Sequence, residues 1–317
     1  MSARKERTRL SRRDLLALAL AAGGSALTFG QREAMAEGPA PALRRRPIPH
    51  SGEQLPVVGL GTAIVFDVGN SANELGGPQA VVRALVDHGG TLIDTAPSYG
   101  GAESVLGSVL TETRLRPHVF LATKLEHESF GDVAAGFRES SQRLRTDKID
   151  LLQLHNVRDP DQDLRALNDL KARGLCRYTG ITTTFSAAYP AAESILRRQK
   201  PDFIEVDYAI DNPDAEQRVL PAAAEAGTAV LVALPFGRGR LFRAALGKKL
   251  PDWAAEIDCH SWAQFFLKWV LGNPAVTAVI PGTDKANHMV DNLGAALGRL
   301  PDAAMRIRMA RYVQSFG

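Results

Sequence analysis

A carboxylate, a phenol, an ammonium and an imidazole each follow a short apolar run in this sequence. Asp94 and Tyr99 stand in TLIDTAPSYG, Lys124 follows HVFLAT, and His155 follows IDLLQL. The set contains no nucleophile paired with a base and no cluster with metal-ligand spacing. It suits delivery of a proton to a carbonyl oxygen. A free phenol titrates at about 10, so as an acid it needs help. A neighbouring ammonium favours the phenolate, and a carboxylate beside that ammonium holds it charged and in place. A neutral imidazole can donate a hydrogen bond that fixes the carbonyl near the phenol. Hydride must then come from elsewhere, which implies a cofactor. Taken singly, each residue has an ordinary role: a loop cap, a packing ring, a surface cation, a core histidine. Their joint placement after adjacent apolar runs carries the catalytic interpretation.

Such a set needs strands that end side by side. Residues 91–93 are apolar or β-branched without alternation, as in a strand buried on both faces. Similar runs at 55–60, 118–123, 149–154, 178–181, 203–206, 229–233 and 276–280 predict seven more. Helical patterns at 78–88, 103–110, 132–144, 164–172, 187–198, 215–226 and 262–271 lie between them, and Pro281-Gly282-Thr283 opens another. Eight strand–helix pairs in about 270 residues predict a parallel (β/α)8 TIM barrel, an α/β fold whose catalytic groups lie at strand C-termini. No G-x-G-x-x-G follows the first strand, which argues against a Rossmann sheet. A turn at Ser51-Gly52-Glu53 predicts a small hairpin closing the barrel floor.

Ahead of the barrel, residues 1–36 carry a basic start, Arg12-Arg13, an Ala- and Leu-rich run and Ala34-Met35-Ala36. Together these predict a twin-arginine (Tat) signal peptide, followed by a lead-in at 37–54 and the barrel at 55–317. The expectation is export to the periplasm after folding in the cytoplasm, with the export machinery as partner and no stable membrane span after processing. Net charge is +3, with much of it in the leader, and no basic stripe with aromatics indicates nucleic acid. Cys176 and Cys259 match no metal spacing, and a bridge between them stays open.

DTAPSYG, FLATK and DKIDLLQLH together resemble the aldo-keto reductases, as do GIT at Gly180, DFIEVDY at Asp202, and IPGT with the later Asn292. The resemblance runs in order from Leu55 to about Leu297. It implies reduction of an aldehyde or ketone by a nicotinamide cofactor, NADPH with NADH as the alternative. Tyr99 is then the acid, Lys124 and Asp94 tune it, and His155 orients the carbonyl. The cofactor side it implies takes in Gly61, Thr62, Thr182, Thr183, Glu205, Leu234, Phe236, Gly237, Arg238, Arg240, Gly282, Thr283, Lys285, His288, Asp291 and Asn292. Several positions depart from the family pattern: Thr182-Thr183 replace a usual Ser-Asn, Glu205 a usual Gln, and Ala233 a stacking aromatic, for which either Phe236 substitutes or nothing does. A nucleotide-binding barrel acting as a sensor or partner subunit is the alternative that these departures favour.

Overall fold

The computed structural model describes residues 42–129 and 131–316. The expected leader, 1–36, lies outside the described residues. The described chain opens with an antiparallel hairpin, β1 (Arg45–Pro47) and β2 (Gln54–Pro56), turning through Gly52 at φ 75°. Eight parallel strands follow: β3 (Leu60–Gly61), β4 (Leu92–Asp94), β5 (Phe120–Leu125), β6 (Ile149–Leu154), β7 (Cys176–Thr183), β8 (Phe203–Asp207), β9 (Ala229–Ala233) and β10 (Ala278–Val279). Each pairs with its neighbour in chain order. The bridges Val58↔Val279 and Gly61↔Gly282 tie the last strand back to the first.

The helices α1 (Ala72–Asp87), α2 (Ala102–Thr113), α3 (Val133–Leu144), α4 (Arg165–Ala172), α5 (Tyr189–Gln199) and α6 (Val219–Ala226) pack outside the sheet. So do α7 (Arg240–Ala244), α8 (Trp262–Leu271), α9 (Ala286–Gly294) and α10 (Ala303–Gln314). Two apolar layers result. Leu121, Leu152, Ile204 and Val230 face the helices in the larger one. Leu92, Phe120, Leu151, Phe203 and Leu231 fill the interior in the smaller one, and Ile48 and Leu55 close it from the hairpin. The period of two along each strand sorts residues between these layers.

The expected first strand divides. Residues 54–56 belong to the floor hairpin, where Pro56 cannot donate to a further ladder, and the barrel strand begins at Leu60. A Cβ on Gly59 would meet Leu92 Cγ at 2.8 Å, and one on Gly61 would meet the Ile280 carbonyl at 2.7 Å, so strand packing itself requires both glycines. The first helix starts six residues before the expected Pro78, because Ser71 and Glu74 form a capping box that nucleates it there. Strands β6 and β9 and helix α8 match the expected limits. Cys176 and Cys259 are both buried free thiols.

Candidate active site

The inward phase that places Leu92, Phe120, Leu151 and Phe203 in the interior continues upward along the same strands. Two residues on from Leu92 and Phe203 stand Asp94 and Glu205; four on from Phe120 stands Lys124; two on from Leu151 stands Gln153. All four are buried: Lys124 and Gln153 are 0% exposed, and Asp94 and Glu205 2%. Asp94 is the last residue of β4, as expected, and β5 runs one residue past Lys124, both one layer above the apolar plug.

The Lys124 ammonium donates to Asp94 Oδ2 at 2.5 Å and to the Thr95 carbonyl at 3.1 Å, and it pairs with Glu205 Oε2 at 3.2 Å. Burial alone would strip its proton, but Asp94 and Glu205 outweigh that and hold it above the usual lysine range. Gln153 Nε2 donates to Glu205 Oε2 at 3.1 Å. That contact passes across β7, where Gly180 leaves room: a Cβ there would meet Gln153 Cγ at 3.1 Å.

Tyr99 lies over this cluster, its ring centroid 5.1 Å from Lys124 Nζ and edge-on to the His155 ring at 6.0 Å. Lys124 was expected to lower the phenol's pKa. Burial raises it more, and the two carboxylates add to the rise, so the net direction is upward. The proton therefore stays on oxygen until a stronger demand arises.

His155 Nδ1 lies 2.9 Å from both oxygens of Glu126, which also accepts from the Ser98 N–H at 3.2 Å. A carboxylate only accepts, so Nδ1 carries the hydrogen. Neutral His155 then presents Nε2 as an acceptor, contrary to the expected neutral donor. It donates toward a substrate only when both nitrogens are protonated.

Above these groups opens a cavity of about 450 Å³, within the usual range for small-molecule sites. Asp94, Tyr99, His155 and Glu205 line its base, and Gly61, Leu234, Phe236, Arg238 and Gly282 line one side. Asn156, Thr184 and Phe185 line another. Four non-glycine residues with left-handed backbone stand around it: Ile64 at φ 69°, Asn156 at 52°, Leu234 at 54° and Arg238 at 53°. Such backbone, above all at a β-branched residue, costs energy and collects at binding sites.

The Aldo/keto reductase family model matches residues 57–308, most of the chain. The chain belongs to the aldo/keto reductase family. Methylglyoxal reductase YeaE of Escherichia coli (strain K12) is 30% identical over 258 residues, 79% of this chain and 89% of that protein. Glyoxal reductase of Bacillus subtilis (strain 168) is 29% identical over 252 residues, 77% of this chain and 84% of its own. An aldo/keto reductase from Klebsiella pneumoniae in complex with NADP and acetate superposes with a TM-score of 0.69 at 26% identity, covering 83% of this chain and 93% of that one. One from the same organism in complex with NADPH gives 0.70 at 25% identity, covering 87% and 96%.

In this reductase the remaining residues expected on the cofactor side are dispersed. Thr62, Thr182 and Thr183 are buried within or beside the strands, and Thr182 Oγ1 accepts from the Asn156 N–H at 2.8 Å. Gly237 shares the Leu234–Gly239 turn with Arg238, but Arg240 donates to Asp211 at 2.6 Å instead of lining the cavity. Thr283 Oγ1 accepts from the Lys285 N–H at 3.2 Å. Lys285 and His288 are exposed at the start of α9, Asp291 accepts from Gln264 at 2.8 Å, and Asn292 is buried.

Glu126 and Gln153 escaped sequence reasoning, although the same alternation finds them. Phe120, Ala122, Lys124 and Glu126 share one phase, as do Leu151, Gln153 and His155. Asn156 and Thr184 sit on loops, where no period marks them.

Burial tends to raise the Glu126 carboxyl, but hydrogen bonds from His155 and Ser98 hold it down to about 2, against an ordinary 4.5. A carboxyl lowered on folding stabilises the native state above its ordinary value, and that stabilisation is lost as pH falls through the lowered one. Wild type is therefore expected to lose stability more steeply than Glu126→Gln as pH falls from 4.5 through about 2. Urea midpoints across that window measure the difference, and parallel curves would contradict the assignment.

Proposed function

We propose that the chain reduces an aldehyde or ketone to an alcohol with NADP(H), with Tyr99 as the acid. The observation that carries this reading is a phenol kept protonated at the base of the cavity, directly over the buried Lys124–Asp94 pair. The cavity's donor set fits a nicotinamide. Asn156, Thr184 and Glu205 offer amide, hydroxyl and carboxylate partners for a carboxamide, Phe236 offers a ring face, and exposed Arg238 offers charge to phosphate. The bound dinucleotide supplies hydride. The chain's own part is to seat the carbonyl at Tyr99, beside the His155 ring, and to release the phenolic proton to its oxygen as negative charge develops there. Lys124 then stabilises the phenolate, and Asp94 fixes Lys124. Glu126 fixes the His155 ring. The solved Klebsiella pneumoniae proteins with NADP and NADPH support the cofactor, and the methylglyoxal and glyoxal reductases support a carbonyl substrate. The intact Asp94, Tyr99, Lys124 and His155 set favours this over a sensor barrel.

We further propose that residues 1–36 direct export of the folded, nucleotide-loaded protein, on the support of Arg12-Arg13, the apolar run and Ala34-Met35-Ala36. Fractionation is expected to find processed protein in the periplasm, and retention of the full chain in the cytoplasm would refute export.

Tyr99→Phe keeps the ring and removes the proton. It is expected to abolish carbonyl reduction, a loss of at least about 100-fold in kcat, while leaving nucleotide affinity within about twofold. Turnover within about tenfold of wild type would assign the acid elsewhere.

A further inference from the structure

We propose that Asp94 and Glu205 form a carboxyl dyad that shares one proton beside Lys124, so that the site stores the proton that refills Tyr99. The inference rests on the reductase reading above and names the source of its acid.

The charges do not balance otherwise. The buried layer holds one ammonium, Lys124, against two carboxyl groups, Asp94 and Glu205, and both contact the same Nζ at 2.5 and 3.2 Å. Glu205 has one other hydrogen-bond partner in the layer, the neutral amide of Gln153. The groups facing the dyad from the surrounding elements are Lys124 on β5, Gln153 on β6 and the Tyr99 phenol. Glu126 is held by His155 and the Ser98 N–H farther up the wall. Two ionised carboxylates would leave a net negative charge among side chains that are almost wholly buried, at a cost of several kcal/mol. A shared proton makes the layer neutral, as when two carboxyl groups occupy one site and only one ionises.

Two details agree. Asp94 Oδ1 is buried with no hydrogen-bond partner, so no donor besides those on Oδ2 favours ionising this carboxyl. Burial, and next the charge of Glu205, push Asp94 well above the usual carboxylate range against the pull of Lys124.

The relay balances. When Tyr99 yields its proton to the carbonyl oxygen, the phenolate takes a hydrogen from the Lys124 ammonium, re-forming O–H. Lys124 takes the dyad's proton, restoring N–H and leaving both carboxyls ionised. Glu205 lines the cavity, so solvent returns one proton to the dyad after product leaves.

Infrared spectroscopy of the nucleotide-free full chain tests this without turnover. At neutral pH, wild type is expected to show the carbonyl stretch of a buried un-ionised carboxylic acid, absent from both Glu205→Gln and Asp94→Asn. Gln153→Leu removes a donor that favours ionised Glu205, so its band should persist to higher pH than in wild type. No such band in wild type would overturn the proposal, whether or not the variants fold. A band unchanged in folded Glu205→Gln would overturn it too. If the band is present but folded wild type reduces no aldehyde or ketone with NADPH or NADH, the reductase reading fails and the dyad stands.

Discussion

An ammonium buried in the dry interior of the barrel is the constraint on which the rest of the site depends. Moving a bare lysine charge there costs several kcal/mol unless it is paired and hydrogen-bonded. Lys124 meets that requirement with Asp94, the Thr95 carbonyl and Glu205. Those partners must come from separate strands, and the closed parallel sheet brings them together because one inward phase runs through β4, β5, β6 and β8. Below the polar layer, Leu92, Phe120, Leu151 and Phe203 exclude water from one side, with the hairpin's Ile48 and Leu55 beneath them. The floor hairpin thus contributes to the chemistry only through packing.

The upper boundary is built differently. Loops carry it, and they hold unfavourable backbone: Ile64, Asn156, Leu234 and Arg238 all have positive φ where they surround the cavity. The barrel supplies rigid charges and the loops supply shape. This division lets related barrels keep one proton donor and vary what they accept. Ile64 and Phe185, exposed at 75% and 48%, give the mouth an apolar rim.

The barrel and the four central side chains were legible because each strand is a buried run with a turn after it, and because the ionisable residues interrupt those runs. Strand limits were less so. β5 runs on past Lys124 to Leu125, since a polar residue facing the interior extends a ladder as well as an apolar one does. The direction of the Tyr99 shift was also misjudged, because a list of neighbouring charges says nothing about how much water burial removes. Thr182 and Thr183 are buried at the end of β7, and of the expected cofactor residues after β10 only Gly282 lines the cavity, because position past a strand does not determine side-chain direction. Glu126 and Gln153 show what a stricter use of the two-residue period would have found. Arg240 shows the opposite: its charge is engaged by Asp211, a partner distant in sequence.

The dependence of the acid on the buried ammonium is tested most directly by Lys124→Met, which keeps the stem and removes the charge. Single-turnover reduction would be measured beside nucleotide affinity and the circular dichroism of the folded barrel. The expected result is a fall in rate on the order of 10³-fold with affinity and fold preserved. A rate within about tenfold of wild type in a folded, nucleotide-binding Lys124→Met protein would contradict the central place given to that charge.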